Sequence, residues 1–317
     1  MSTLVTGFAT SHTALMIRAR DLADPQQVSN VMGAMEEVKL RLKNAAVDAL
    51  IVIGSDHGKS FLLDNMPAFC IGVGPECEGW GDAGVPVYKV KVHQELATYL
   101  LNEAMDSGFD PAFSAEMKLD HGFMCPLHFI RQEMDIPIVP IFINASSPPM
   151  PSFKRCYRLG SVLRTAIEKR PTDERIAILA TGGLSHTVPQ VDEFMFRSKR
   201  ENDPDMERKK LAKIKDFVDR GLGRINEAFD RKILESLTEG RDGELIDKTY
   251  AQIEAEGGNG AQEIRNWVAL LGAMSDRRAE VLVYEPVAKW LTGIAIVAFD
   301  GHRSKAPAAS FLSLGGM

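Results

Sequence analysis

Short runs of consecutive apolar residues recur along this chain, and three of them end in Gly, Ser or Thr. They are Leu4-Val5-Thr6-Gly7-Phe8-Ala9-Thr10-Ser11, Ala49-Leu50-Ile51-Val52-Ile53-Gly54-Ser55 and Ile176-Ala177-Ile178-Leu179-Ala180-Thr181-Gly182. Runs of this length without a helical period predict buried strands. Residues 68–73, 136–143 and 293–299 predict three more. Pro137 and Pro140 lack the backbone donor a central ladder needs, so the 136–143 strand is expected at an edge or a bulge. Between the strands, apolar residues return every three or four positions. Val28, Val31, Met32, Met35 and Val38 form one such set; Leu96, Tyr99, Leu100 and Ala104 a second; Leu159, Val162, Leu163 and Ile167 a third. Each set predicts one helix face. Strands alternating with helices predict an α/β fold with a mixed, partly parallel central sheet flanked by helices. A single large domain is expected across residues 1–317. From about 192 to 258 the strand runs vanish and charge rises. There Leu211, Ile214, Phe217 and Val218, then Ile225, Phe229 and Ile233, predict helices of an insertion packed on the sheet. The tail at 310–317 is expected to fray.

The placement of histidine turns this pattern into a functional expectation. His12, His57 and His186 each come within a few residues of the end of one of the first three runs. His121 lies in Leu119-Asp120-His121-Gly122-Phe123, and His128 comes soon after. In open α/β sheets, ligands bind outside the carboxyl ends of the strands. Imidazoles are therefore delivered repeatedly to the edge where chemistry occurs. Imidazole is the commonest metal ligand and a common acid or base. A mononuclear catalytic centre takes about three protein ligands, and two imidazoles with one carboxylate is the set of non-haem Fe(II) oxygenases. Glu263 is the candidate carboxylate. It closes the glycine-rich stretch Gly257-Gly258-Asn259-Gly260-Ala261-Gln262-Glu263, which opens a helix whose apolar face is Ile264, Trp267, Val268 and Leu271. Glu263 borders that face. A first-turn carboxylate answering the helix dipole is the other reading of the position.

Composition narrows the classes. With 45% hydrophobic and 25% charged residues the chain is of ordinary globular make-up. The net charge is −6 and the pI about 5.7, with no long basic run, so nucleic acid is excluded as a partner. The cluster Arg208-Lys209-Lys210 is offset by Asp203, Asp205 and Glu207. Cys70, Cys77, Cys125 and Cys156 form no CxxC pair, which predicts reduced thiols and a cytoplasmic protein. Neither a secretory leader nor a membrane span is expected. Gly72-Val73-Gly74 lacks the third glycine of a dinucleotide site. Ser185 lacks the flanking glycines of a nucleophile elbow.

In their order along one chain, these motifs resemble the class III extradiol ring-cleavage dioxygenases of the protocatechuate 4,5-dioxygenase type. Ser11-His12, Asp56-His57, Pro67-Ala68-Phe69-Cys70-Ile71-Gly72 and Glu78-Gly79-Trp80-Gly81 carry the likeness in the first part of the chain. Asp120-His121-Gly122, Lys154-Arg155-Cys156, Thr181-Gly182-Gly183-Leu184-Ser185-His186 and Glu263 with Trp267 carry it in the rest. The resemblance implies Fe(II) held by His12, His57 and Glu263. It implies His186 as the acid/base beside the metal and His121 as a second histidine in the pocket. His128 and His93 match no catalytic position of the family. His128 is expected to be structural and His93 to lie on a helix surface. The implied substrates are O2 and a substituted catechol, either a ring carboxylate such as protocatechuate, gallate or a methylated gallate, or a catechol with an acidic side chain or a larger biaryl. Cleavage beside the diol would give a muconic semialdehyde-type product. The protocatechuate enzyme works with a separate small subunit. The stretch between His186 and Glu263 is longer here, as in the similar dihydroxyphenylpropionate dioxygenases, which lack one. A homo-oligomer without a small subunit is therefore expected, the 192–258 helices forming its lid or self-association surface. Memo-type proteins share the fold and similar histidine positions, and supply the alternative of a non-enzymatic metal-binding protein.

Overall fold

The three apolar runs that precede His12, His57 and His186 lie side by side in the middle of one sheet. In the computed structural model, which describes residues 1–188 and 220–302 with isolated positions between them, eight strands form this sheet. They are β1 (Thr3–Thr10), β2 (Ala49–Gly54), β3 (Phe69–Gly72), β6 (Ala112–Ser114), β8 (Ile138–Ile143), β9 (Arg175–Thr181), β10 (Arg277–Val287) and β11 (Thr292–His302). Their order is β10-β11-β1-β9-β2-β8-β3-β6. A small second sheet joins β4 (Glu76–Gly79), β5 (Lys89–Lys91) and β7 (Lys118–Leu119). β1, β9, β2 and β8 run parallel to their neighbours in that series, while β11 and β3 pair antiparallel on either side of it. The sheet is mixed, as the sequence predicts. β2 and β8 are buried along their whole length, which is why they read as continuous apolar runs and not as alternation.

The prolines of the 136–143 run are not at an edge. β8 sits between β2 and β3, and Pro140 is registered against Val52. The ladder to β3 ends at Ile71 opposite Ile141, one step before Pro140. Beyond it the Pro140 ring occupies the space a side chain on Gly72 would need, 2.6 Å from an ideal Cβ there. The missing donor thus falls where β3 has stopped pairing. β10 had no counterpart among the expected strands. It is the partly exposed edge strand, and its apolar positions alternate only over Ala279, Val281 and Val283.

The helices are α1 (Leu15–Arg18), α2 (Pro25–Asn44), α3 (Gln94–Asp106), α4 (His121–Ile130), α5 (Phe153–Lys169), α6 (Glu227–Glu239), α7 (Asp242–Ile246), α8 (Tyr250–Gly257) and α9 (Ile264–Ala273). The expected stripes are the buried faces. Val31, Met35 and Val38 of α2, Leu96, Leu100 and Ala104 of α3, and Leu159, Leu163 and Ile167 of α5 all lie in the core. α2 starts where Asp24 accepts from the N–H groups of Gln26 and Gln27 with Pro25 in the first turn. Phe229 and Ile233 pack inward from α6, whereas Ile225 precedes that helix. The helix expected around Leu211, Ile214, Phe217 and Val218, the 208–210 basic cluster and the 310–317 tail lie wholly or mostly outside the described residues. His93 is not a surface residue of a helix: it caps α3 through Nδ1, which accepts from the Leu96 N–H, and its Nε2 lies 2.7 Å from Glu174. Among the described residues no helix is long and apolar enough to cross a membrane.

A candidate metal centre at the carboxyl edge of the sheet

β1, β9 and β2 are parallel, so all three end at the same edge. The first two residues past β1 are Ser11 and His12. Ser11 is tied down twice, its N–H donating to Ala295 O at 2.8 Å and its Oγ accepting from Ala295 N at 3.0 Å. This fixes the backbone from which His12 projects. Past β2, the buried carboxylate of Asp56 accepts the N–H groups of Lys59, Ser60 and Phe61 and curls the chain around His57. His57 is then held from the far side by Asp120, whose Oδ2 lies 2.8 Å from both the backbone N and Nδ1 of His57. With Nδ1 engaged, His57 turns Nε2 inward.

Glu263 comes from the other direction, at the end of a 3₁₀ helix (Asn259–Glu263) that leads into α9. Its Oε2 accepts from Gly183 N–H at 2.8 Å. Its Oε1 lies 3.3 Å from His57 Nε2 and 3.8 Å from His12 Nε2, and it is buried without a hydrogen-bond partner. The approach is close because Gly182 holds φ at +146°, and a Cβ there would stand 2.9 Å from the Glu263 Cβ. Asn266, one helical turn on from Glu263, donates to Ser55 Oγ at 3.0 Å and Thr181 O at 2.7 Å, which locks α9 to the ends of β2 and β9.

The electrostatics suit a cation. Burial pushes His12 down to about 4, only partly opposed by Glu263, so this imidazole is neutral at ordinary pH. Burial alone would raise the Glu263 pKa, but His12 and His57 outweigh it and hold the carboxyl well below the usual carboxylate range. Burial works against a charge on His57 too, yet Asp120 and Glu263 more than offset it and raise its pKa well above 6.5. Asp120, fully buried, is held below the usual range because His57 and His121 outweigh its burial. A buried, ionised carboxylate oxygen with no hydrogen-bond partner, set between two imidazole nitrogens, fits a divalent cation, which would take the place of the proton on His57.

His121 joins the same cluster. As the first residue of α4, after the Asp120 cap, it places its ring centroid 4.2 Å from that of His57 and 5.9 Å from that of His12. Ligating atoms of His12, His57 and His121 all lie within 4.8 Å of one another. Its Nδ1 lies 2.7 Å from Asp82 Oδ2. His186 stands apart from the three-ring group, on the Glu263 side. Its Nδ1 lies 3.0 Å from Leu184 O, an arrangement in which Nδ1–H donates and Nε2 is left free to accept a proton. Its ring is seated against Gly183 and Gly260. His128 is elsewhere, hydrogen-bonded through Nδ1 to the Tyr88 hydroxyl at 2.6 Å, a structural pairing as expected. The supporting residues Asp82, Asp120, Asn266 and Asp230 were not among the sequence candidates. Asp120 sits beside His121 in the sequence and could have been read as its cap. Asp230 carries no local signal, because its partner Ser185 is 45 residues away.

Comparison with known proteins places the chain in a family. Residues 6–295 match the family described as the catalytic LigB subunit of aromatic ring-opening dioxygenase. The chain is 30% identical over 311 residues to a Photorhabdus laumondii protein named 2,3-dihydroxyphenylpropionate/2,3-dihydroxicinnamic acid 1,2-dioxygenase, covering 91% of this chain and 95% of that protein. It is 31% identical over 291 residues to the Escherichia coli protein of the same name, covering 85% and 91%. The crystal structure of an uncharacterised Escherichia coli K12 protein shares the fold, with a TM-score of 0.51, 13% identity and coverage of 93% and 99%.

Proposed function

Since the chain belongs to the family of the catalytic LigB subunit of aromatic ring-opening dioxygenases, we propose that it is an Fe(II) enzyme that opens catechols carrying a short acidic side chain. It is an extradiol ring-cleavage dioxygenase of a catechol-like substrate. The iron ligands are His12, His57 and Glu263. The observation that carries this set is the buried, partnerless Oε1 of Glu263 between the two imidazole Nε2 atoms. Bound there, Fe(II) would supply Lewis acidity toward the two catechol oxygens and a route for electrons to O2.

The chain's own residues do the rest. His186 Nε2 takes a proton from a catechol hydroxyl and returns it as the ring opens, while Leu184 O keeps the tautomer that makes Nε2 the acceptor. His121, pinned through Nδ1 by Asp82, presents Nε2 as a hydrogen-bond partner for substrate oxygen. The side-chain acid is favoured over ring carboxylates because the relatives' names specify a 2,3-dihydroxyphenyl acid. Their "1,2" places cleavage between the hydroxylated carbon and the carbon bearing the side chain. The product is then a dienoic keto acid, with both atoms of O2 incorporated. This replaces the semialdehyde expected for an unsubstituted carbon.

The test is anaerobic loading with Fe(II), followed by oxygen uptake on 2,3-dihydroxyphenylpropionate, protocatechuate and gallate. We expect one O2 consumed per catechol and a kcat/KM at least about tenfold higher for the side-chain acid, the size of a modest pocket preference. Preference for a ring carboxylate would overturn the substrate class. Glu263→Ala is expected to lose most of its iron. Full iron occupancy in that variant would move the third ligand to another residue, His121 being the nearest donor.

A further inference from the structure

Asp230 is a fully buried carboxylate on α6, far from Ser185 in sequence and outside the metal cluster. It accepts three hydrogen bonds, from Ser185 N–H at 2.7 Å, Ser185 Oγ at 2.8 Å and Tyr284 OH at 2.9 Å. Ser185 is the residue before His186. Its Oγ also accepts from Asn226 N–H at 2.8 Å, and its carbonyl accepts from Gly293 N–H at 3.2 Å. The seat is tight: a Cβ on Gly293 would stand 2.1 Å from Asp230 Oδ2. His186 in turn donates its N–H to Gly257 O and accepts from Gly260 N–H. The turn that presents His186 is therefore clamped on one side by α6 and β11, on the other by the stretch leading to Glu263.

We propose that Asp230 is a positioning residue that acts through Ser185 to hold the imidazole of His186 at the reacting atoms. A neutral amide replaces it imperfectly, because the Ser185 and Tyr284 hydroxyls that now donate would have to accept. Asp230 accepts from two donors of one residue and a third from Tyr284, and an Asn would turn an N–H₂ toward at least one of these donors. Burial raises the Asp230 pKa, and the opposing influences are the Ser185 and Tyr284 hydrogen bonds and the charge on His186. The helical part of the chain before Glu263 thus reaches the chemistry through one buried side chain. This rests on the reading of His186 as the acid/base.

The experiment measures the iron-loaded full chain, wild type against Asp230→Asn, Ser185→Ala, the double variant and His186→Ala. A misplacement of about 1 Å in a reacting group costs on the order of 10²-fold. Asp230→Asn and Ser185→Ala are expected to lower kcat per bound iron about 10- to 100-fold, with KM within about twofold and iron content as in wild type. The double variant should be no worse than the worse single one, because both remove the same contact. An unchanged kcat per iron with only a lower Tm overturns the proposal, and so does additivity or a loss confined to KM or iron content. If Asp230→Asn does not fold, Ser185→Ala and Tyr284→Phe decide by the same ratio. If His186→Ala turns over as wild type, the acid/base reading fails and this inference with it. If His186→Ala is inactive while Asp230→Asn is not, this inference alone fails.

Discussion

Two glycines decide where the His186 ring can stand. An ideal Cβ on Gly183 would lie 2.5 Å from its Cε1, and one on Gly260 would lie 2.1 Å from its Nε2. Gly260 does not need a left-handed backbone, so alanine there adds a methyl without adding backbone strain. That methyl falls on the nitrogen proposed to carry the proton. Gly260→Ala is therefore expected to keep its iron and lose roughly 10²-fold or more in turnover, the usual worth of a positioned proton-transfer group. Iron content and oxygen uptake on the same preparation check this. Wild-type turnover would mean that Nε2 does not need its place beside Gly260.

At the scale of elements, the crossing of α5 and α9 sets the depth of the site. The two helices meet backbone to backbone. A Cβ on Gly160 would stand 1.8 Å from Ala269 O, and one on Gly272 would stand 1.9 Å from Tyr157 O. Neither carbonyl can move without moving its helix. α9 is buried throughout and starts directly after Glu263, so any displacement of the helix is passed to the carboxylate. Gly272→Ala is expected to destabilise the chain by about 1–3 kcal/mol, the cost of forced overpacking. It should also weaken iron retention, because Asn266 would be pulled from Ser55 and Thr181. Urea unfolding and iron retained after dialysis read the two effects. An unchanged unfolding midpoint would show that the helices can separate without loss.

For the whole molecule, the match to the relatives runs over nearly their full length, with 95% of the Photorhabdus laumondii protein covered. α6, α7 and α8 bury Phe229, Ile233, Leu237, Leu245 and Ile253 in the one core they share with the sheet, so their apolar faces are covered within the chain. We expect the purified chain to turn over substrate with no second kind of polypeptide and to run as a homo-oligomer. Oxygen uptake by the single purified chain and light scattering on a sizing column test both. A strict requirement for another polypeptide would contradict the first, and a monomer in solution the second.

The central strands and the edge that carries the site were largely legible in the sequence, because burial on both faces leaves an apolar run that no surface helix would show. His12, His57 and His186 come directly after such runs, and parallel strands deliver the residues beyond their carboxyl ends to one edge. The helix faces at Val31, Leu100 and Leu163 were legible through their spacing for the same reason of burial. Glu263 was legible only as a carboxylate near an apolar helix. Spacing left it open whether the carboxylate faced inward or answered the helix dipole, and only packing against Gly182 and Gly183 turned it toward the imidazoles. Pro140 was misplaced because a missing donor says nothing about where the neighbouring strand stops pairing. Asp82 and Asp230 came from tertiary structure alone, and so did the contact of Asp120 with His57. A carboxylate's partner is chosen by distance in space, and no periodicity records that Asp230 meets Ser185 or that Asp82 meets His121. Local pattern determined the frame and the type of donor. The folded chain decided which donors converge and which nitrogen of each histidine is left free.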